Sequence, residues 1–315
     1  MITFIIITWN NEKEIADCVS SIAEKVKCKH EIIVVDNNSN DKTVSVIKNR
    51  FPDVQIIENK ENVGFAAANN QAIDIATTKY ICFLNPDTIL LDDIASDTMA
   101  QMESNPEIGI MASQLLNADG SVQDSCFNFE TRISLIAEIL HLYLIVPSLF
   151  YKTLFPYKYT GNDPITTDWV IGAEMIIKTE DAKAVNGFST DYYMYTEDMD
   201  LCKKVRVLLN KKTVMNPQTK IIHLGGKSEI SNTNYNKTRI LLRNKLLFAY
   251  KFSGISYAHQ IGTTLVFAYY IRLILLSFFY YKANRALIIS NTKTKIQIIR
   301  ELLLKESFTN PGFLK

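Results

Sequence analysis

The stretch EIIVVDNNSND, residues 31–41, joins a run of β-branched apolar residues to a polar cluster that begins at Asp36. Two further apolar runs, at residues 2–8 and 80–87, end in the same way, and segments with helical spacing of apolar residues separate the three runs. This alternation is typical of βαβ units, in which helices cover both faces of a parallel sheet. The chain is therefore predicted to be an α/β protein with a mainly parallel central sheet flanked by helices.

Polar residues gather where these strands are predicted to end. Ligands of open α/β sheets bind beyond the carboxyl ends of the strands, so we expect a nucleotide at this edge. The Asp36 carboxylate could accept the imide N–H of a uracil or thymine ring, although an ordinary Asx turn is the alternative at this position. No Gly-x-Gly-x-x-Gly follows the first strand, which disfavours a Rossmann dehydrogenase. The three clusters are Thr8-Trp9-Asn10, Asp36-Asn37-Asn38-Ser39 and Asn85-Pro86-Asp87.

The composition is that of a folded chain with a packed core. Of 315 residues, 47% are hydrophobic and 21% are charged, which excludes a disordered or collagen-like protein. The five cysteines are scattered and form no Cys-x-x-Cys pair, so reduced thiols are expected. The apolar opening has neither a basic segment nor a small-residue cleavage site, and a buried strand is expected there rather than a signal peptide.

The charges are distributed unevenly along the chain. Residues 1–202 carry 14 Lys/Arg and 30 Asp/Glu, whereas residues 203–315 carry 20 Lys/Arg and 3 Asp/Glu. This pattern predicts an acidic part that handles a metal or a sugar, and a basic part that faces phosphates, nucleic acid or an anionic membrane. No nucleic-acid-binding motif accompanies the basic part, so nucleic acid is not an expected partner.

Asp87 and His223 are the candidate metal ligands. Asp87 follows a predicted strand, where a carboxylate can hold Mg²⁺ or Mn²⁺ against a diphosphate whose oxygens complete the coordination. The alternative is a proline-containing turn with Asp87 as a helix cap. His223 lies in IIHLGGKS and could add a ligand, although a lone histidine is more often structural.

Three carboxylates open a predicted helix at residues 197–209. Glu197, Asp198 and Asp200 could simply complement the helix dipole, with Thr196 as the cap. The functional alternative is a general base that takes a proton from an acceptor hydroxyl. Asp200 could also bind acceptor hydroxyls or cap the helix.

The order of these motifs resembles that of the inverting family-2 glycosyltransferases of the GT-A fold. The resemblance covers about residues 1–250 and is closest to the rhamnosyltransferase-like branch, which builds bacterial surface polysaccharides. After Asp36, the motifs are N-x-G-F-x-x-A-x-N at 62–70, N-P-D at 85–87, W-x-x-G-A at 169–173, E-D-x-D at 197–200 and H-x-G-G at 223–226.

The resemblance implies a role for each matching residue. Asp198 would be the catalytic base, and Asp87, with His223, would hold Mg²⁺ or Mn²⁺. The nucleotide-sugar contacts would come from Thr8, Asn10, Asp36, Asn38, Asn62, Gly64, Asn70 and Asn85. The acceptor side would be formed by Trp169, Gly172, Glu197 and Asp200.

The chain departs from the family pattern at three points. Asn85 replaces the first carboxylate of the family's D-x-D motif, and Asn69 stands where an arginine is often found. The Q-x-x-R-W signature of processive synthases is absent from the sequence, which favours addition of a single sugar.

The reaction implied is transfer of one sugar, with inversion, from a nucleoside-diphosphate donor to a hydroxyl of a polyprenyl-diphosphate-linked glycan. The first donor choice is dTDP-rhamnose; UDP-hexose and UDP-galactofuranose are the alternatives. A nucleotide-sugar-binding protein that has lost turnover is a further alternative.

We expect a GT-A catalytic domain at residues 1–230, with a nucleotide-sugar half at about 1–112 and an acceptor half at about 113–230. Residues 231–315 are expected to form a helical, basic and apolar region. Within it, the 21 residues from Ile261 to Tyr281 could span a bilayer, lie on it or pack on the protein. Arg272 at the centre of this stretch disfavours a span. A peripheral protein on the cytoplasmic face of the inner membrane, held to its anionic surface by an in-plane helix, is predicted.

Overall fold

The computed structural model describes residues 1–146, 161–192, 194–225, 235–279 and 285–309. The chain forms two compact units. The first comprises Met1–Phe127 and Tyr157–Gly226, and the second comprises Asn128–Pro156 and Lys227–Lys315.

Eleven strands lie in the described part of the first unit, and nine of them form one sheet in the order β3-β2-β1-β4-β10-β6-β11-β5, with β8 paired to β11. The pairs β1–β2, β2–β3, β1–β4 and β6–β11 are parallel, whereas β10 runs antiparallel to both of its neighbours. The strands are β1 (Ile2–Thr8), β2 (His30–Asp36), β3 (Gln55–Glu58), β4 (Tyr80–Leu84), β5 (Thr88–Leu90), β6 (Ile108–Leu116), β7 (Cys126–Phe127), β8 (Ile165–Thr167), β9 (Trp169–Val170), β10 (Glu174–Lys178) and β11 (Lys212–His223).

Helices cover both faces of the sheet, and each face has its own apolar core. On α1, for example, Ile15, Val19 and Ile22 recur at helical spacing and are buried against one face. In the first unit the helices are α1 (Ile15–Lys25), α2 (Thr43–Arg50), α3 (Phe65–Ile75), α4 (Ile94–Ser104), α6 (Thr179–Ala184) and α7 (Glu197–Leu209). In the second unit they are α5 (Arg132–Ile139), α8 (Tyr235–Phe279) and α9 (Arg285–Lys305), with short 3-10 turns at Leu142–Leu144 and Ser307–Thr309.

The predicted α/β class and mainly parallel sheet are confirmed. Every residue of β1 is buried, as its β-branched sequence predicts for a central strand. Its register sets Thr8 opposite Asp36 and Ile6 opposite Leu84. The polar clusters that follow β1, β2 and β4 therefore meet at one edge of the sheet.

The second unit is a separate helical body with its own core. Leu135 and Ile139 of α5 pack with Leu242 and Leu246 of α8, which places α5 with the C-terminal helices. The expected acceptor half at residues 113–230 does not account for this grouping, because the apolar face of α5 finds its partners only in the tertiary structure.

Helix α8 is interrupted at Gly254, whose φ of 82° and ψ of 172° are not helical. Such a conformation is readily adopted only by glycine, so Gly254 divides α8 into two segments. Among the described residues, one helix, Tyr235–Ser277, is long and apolar enough to cross a membrane by length and composition. Arg272 nevertheless has a partner within the protein, since its Nη1 donates to the Ile139 carbonyl at 3.1 Å.

Candidate active site

Asp36 is held rigidly at the edge of the sheet. Its carboxylate is 2% exposed and accepts hydrogen bonds from the Thr8 hydroxyl at 2.8 Å and from the Ser39 backbone N–H at 2.8 Å. The Ser39 hydroxyl donates to the same carboxylate at 2.6 Å. The structure thus brings Thr8 and Asp36 together, and three donors orient the carboxylate that was predicted to contact a base.

Asn10 and Asn38 lie in the two loops beside Asp36, with φ values of 59° and 62°. Asparagine tolerates this left-handed region better than most residues, which explains its presence at both positions. The Asn10 side chain accepts the Asn40 N–H at 2.8 Å and therefore joins the two loops. Trp9, between Thr8 and Asn10, is 54% exposed at the same edge.

Asn62 and Asn70 hold backbone segments near α3. The Asn62 side chain accepts the Gly64 N–H at 2.9 Å, and Gly64, with φ of 85°, precedes the first turn of the helix. The Asn70 amide forms two hydrogen bonds with the backbone of Phe188, each of 2.8 Å. Contact between Asn70 and the nucleotide stays a prediction. The two observed hydrogen bonds show that the Asn70 amide holds the backbone of Phe188.

Asp87 and His223 form the candidate metal centre. Strand β11 pairs with β5 so that His223 lies opposite Thr88, and the Leu224 N–H donates to the Asp87 carbonyl at 2.9 Å. The His223 Nε2 lies 3.4 Å from the Asp87 Oδ1 and 3.5 Å from the Asn85 Nδ2. All three predicted residues of this group are therefore neighbours.

Gln123 is a site residue that the sequence did not reveal. Its Oε1 lies 2.8 Å from the His223 Nδ1, and because a carbonyl oxygen only accepts, Nδ1 must carry the proton. The Gln123 Nε2 in turn donates to the Asn117 Oδ1 at 3.2 Å. Gln123 is 100 residues from His223 in the chain, and no local pattern marks it.

This arrangement fits a divalent cation. The His223 Nε2 lies 3.4 Å from the Asp87 Oδ1, and both atoms are acceptors when Nε2 carries no proton. Two acceptors at this separation repel each other unless a proton or a cation lies between them. The described residues contain no cluster of three or more His, Cys, Asp or Glu side chains that could hold a metal. Two protein ligands supplemented by diphosphate oxygens suit Mg²⁺ or Mn²⁺.

Asp198 has the environment expected of a general base. Its carboxylate accepts the Gly172 N–H at 3.0 Å and the Met199 N–H at 2.8 Å. Burial raises the pKa of Asp198, and these hydrogen bonds oppose the rise. Burial also raises the pKa of Glu197, with the Asp198 charge as the next cause. When two neighbouring carboxyls both have raised pKa values, a proton retained by one favours ionisation of the other.

Glu197 is 8% exposed, and its Oε2 has no hydrogen-bond partner among the described residues. The backbone before it is strained, with φ of 69° at Tyr195 and 79° at Thr196. The predicted cap by the Thr196 side chain is wrong, because in this left-handed conformation the hydroxyl makes no capping hydrogen bond. Asp198 instead accepts the N–H of the residue that follows it.

The backbone of Gly172 lies close to the side chain of Asp198. A Cβ at this position would lie 3.3 Å from the Asp198 Cβ, so a larger residue would displace the carboxylate. The next residue links the base to the metal centre, because the Asn85 N–H donates to the Ala173 carbonyl at 2.9 Å. Two adjacent residues, Gly172 and Ala173, therefore connect Asp198 to the loop that carries Asp87.

Two of the predicted acceptor-side residues have partners elsewhere. Asp200 is fully buried and accepts hydrogen bonds from the Ser189 and Tyr192 hydroxyls. Trp169 stacks on Phe127 with ring centroids 4.6 Å apart. The structure places Gly172 and Glu197 beside Asp198, whereas Asp200 anchors the preceding loop; acceptor contacts stay predictions for all four residues.

Residues 3–133 match the family model of Glycosyl transferase family 2. The glycosyltransferase SunS of Bacillus subtilis is 40% identical over 88 residues, which are 28% of this chain and 20% of SunS. The chain therefore spans about a fifth of the length of SunS.

Two rhamnosyltransferases match over a larger part of the chain. WbbL of Escherichia coli is 24% identical over 65% of this chain and 76% of its own length. The N-acetylglucosaminyl-diphospho-decaprenol L-rhamnosyltransferase of Mycobacterium tuberculosis is 22% identical over 62% of this chain and 67% of its own. Among solved structures, the mannosyltransferase PcManGT from Pyrobaculum calidifontis, in complex with GDP-Man and Mn²⁺, has a TM-score of 0.58 at 15% identity, covering 97% of this chain and 87% of PcManGT.

The fold and the arrangement of carboxylates at the sheet edge define a GT-A type protein. Through residues 3–133 the chain is similar to the family-2 glycosyltransferases, and over a larger part of its length it is similar to two rhamnosyltransferases.

Proposed function

We propose that the chain transfers one sugar, with inversion at the anomeric carbon, from a nucleoside-diphosphate donor to a hydroxyl of a glycan. The observation that carries this proposal is the connection between Asp198 and the Asp87 loop through Gly172 and Ala173. It supports a base and a leaving-group site at one edge of the sheet in the first unit. The wider catalytic assignment to residues 1–230, with 231–315 as a helical extension, is part of the proposal.

In the proposed reaction, Asp198 accepts the proton of the acceptor hydroxyl as that oxygen attacks the anomeric carbon. The attack takes place on the face opposite the diphosphate and needs no covalent enzyme intermediate. A divalent cation held by Asp87 and His223 would supply positive charge next to the diphosphate. Because the pKa of Asp198 is raised, activity should be lost on acidification at a higher pH than an ordinary aspartate would require.

The proposed donor is dTDP-rhamnose. Two observations support it: two relatives are named as rhamnosyltransferases, and the oriented Asp36 carboxylate suits the imide N–H of thymine. Uracil offers the same N–H, so UDP-hexose and UDP-galactofuranose are the alternative donors. A nucleotide-sugar-binding protein without turnover is the alternative of a different class.

The proposed acceptor is a polyprenyl-diphosphate-linked glycan used in surface polysaccharide synthesis. The name of the Mycobacterium tuberculosis relative includes a diphospho-decaprenol acceptor. An enzyme acting on such an acceptor must work at a membrane surface. We therefore propose a peripheral location on the cytoplasmic face of the inner membrane.

Release of nucleoside diphosphate from dTDP-rhamnose, UDP-galactose, UDP-galactofuranose and GDP-mannose, measured with Mn²⁺, tests the function. We expect dTDP release with dTDP-rhamnose, and a product of inverted configuration by NMR when acceptor is present. Asp198→Asn is nearly isosteric and should keep donor affinity within a few-fold while lowering turnover by roughly 10²–10⁴. Asp87→Asn should weaken the Mn²⁺-dependent part of donor binding. Near-native turnover in Asp198→Asn would refute the assignment of the base, and binding without release would favour the silent alternative.

A further inference from the structure

The second segment of α8 exposes large apolar side chains along one side. Phe267 is 58% exposed, Tyr270 is 45% exposed and Ile274 is 57% exposed. Their spacing of three and four residues places them on one face of the helix. The opposite face is buried in the core of the second unit, with Leu265 and Ala268 among its members. The three exposed side chains therefore do not belong to the core of the second unit.

Other segments of the second unit also expose large apolar side chains. Leu144 and Ile145 are 70% and 75% exposed, and they follow α5, whose last carbonyl accepts the Arg272 guanidinium. Leu287 on α9 is 58% exposed, and Arg285 of that helix donates to the Ser277 carbonyl at 2.7 Å. We call Phe267, Tyr270 and Ile274 the apolar face.

The segment that contains the apolar face is rich in positive charge. Residues 231–300 contain eleven Lys/Arg and no Asp/Glu. Arg272 lies on α8 and Arg285 begins α9, and the Lys295 ammonium lies 5.6 Å from the ring centroid of Tyr269. Two acidic side chains interact with these cations: Glu138 with Lys295 and Lys245, and Glu130 with Lys245. The excess of positive charge in residues 231–300 therefore favours an anionic partner.

We propose that the apolar face rests on an anionic lipid bilayer, with the second segment of α8 lying in the plane of the interface. Exposed apolar side chains would enter the boundary between headgroups and acyl chains, and the cations would contact lipid phosphates. A second copy of the chain is a less favourable partner, because a symmetric dimer would bring two positively charged segments together. The inference rests on the proposed function for its biological setting, since a lipid-linked acceptor requires a membrane enzyme.

Flotation of the full-length chain with phosphatidylcholine vesicles, with and without phosphatidylglycerol, tests the proposal. We expect binding to the anionic vesicles that weakens as salt is raised. Phe267→Ser combined with Ile274→Ser should lower vesicle affinity by about tenfold or more, because two apolar side chains no longer leave water. Leu304→Ser is the matched control. Leu304 is 83% exposed and follows Leu303, which contacts Gly262 near the other end of the α8–α9 pair.

The outcomes separate this inference from the proposed function. Equal vesicle binding by wild type and the double variant, or equal losses in the double variant and Leu304→Ser, would refute the apolar face as the contact. Failure of wild type to bind anionic vesicles would refute it as well, as would a dimer by light scattering that the double variant dissociates. Donor hydrolysis measured on the same preparations reports on the proposed transferase independently. A helical circular dichroism signal and a thermal unfolding midpoint equal to those of wild type show that the second unit of the double variant is folded.

Discussion

At the scale of single residues, the candidate metal centre includes a supporting residue, Gln123, which contacts His223. Gln123→Leu removes the acceptor of the His223 Nδ1 proton, so the imidazole can rotate or change tautomer. Loss of such a supporting hydrogen bond typically costs 10–100-fold in metal affinity, and we expect about tenfold weaker Mn²⁺ binding by calorimetry. Gln218→Leu is the control, because Gln218 is exposed and lies on β11, the strand that ends at His223. Unchanged Mn²⁺ affinity in Gln123→Leu would mean that His223 is not a ligand.

Glu174 is a buried carboxyl that predicts a pH dependence of stability. It is 1% exposed, accepts the Ser113 N–H at 2.6 Å, and burial raises its pKa to about 7. The Glu174 carboxyl ionises at lower pH in the unfolded chain than in the folded one. At a pH between the two pKa values, unfolding therefore releases a proton. The contribution of Glu174 to stability is therefore greatest below the unfolded pKa of 4.5 and falls until the pH exceeds the folded value.

The shift from 4.5 to about 7 corresponds to a loss of about 3 kcal/mol across that interval. Glu174→Gln should remove this slope, which urea unfolding at pH 5 and pH 8 would measure. Glu61→Gln changes an exposed glutamate and should leave the slope intact. An equal slope in wild type and Glu174→Gln would show that another group controls the pH dependence.

At the scale of elements, the turn before β10 and the start of α7 form a single functional piece. Gly172→Ala would place a Cβ 3.3 Å from the Asp198 Cβ, and one of the two elements must give way. Because small misplacements of a reacting group cost up to about 10²-fold in rate, we expect turnover to fall by tenfold or more. Donor affinity, measured on the same variant, should stay near that of wild type. A parallel loss of both would indicate general disruption of the sheet edge rather than displacement of the base.

At the scale of the whole molecule, the second unit combines segments that are distant in the chain. Deletion from residue 255 would remove Ile261, Leu265 and Ile299, which pack against Leu135 and Leu246 in one core. We expect the shortened chain to expose this core and to aggregate in size-exclusion chromatography. A monodisperse product with native donor hydrolysis would show instead that the first unit folds independently of these helices.

The sequence alone determined the α/β class, the order of the strands along the chain and most of the candidate catalytic residues. These features are local, since β-branched runs, helical spacing and strand-end polar clusters are read within about ten residues. The tertiary structure alone decided the contact of Gln123 with His223, the clamp of Asn70 on Phe188 and the grouping of α5 with the C-terminal helices. Each joins residues about 100 or more positions apart, and such pairings depend on how elements pack rather than on the pattern of any one segment.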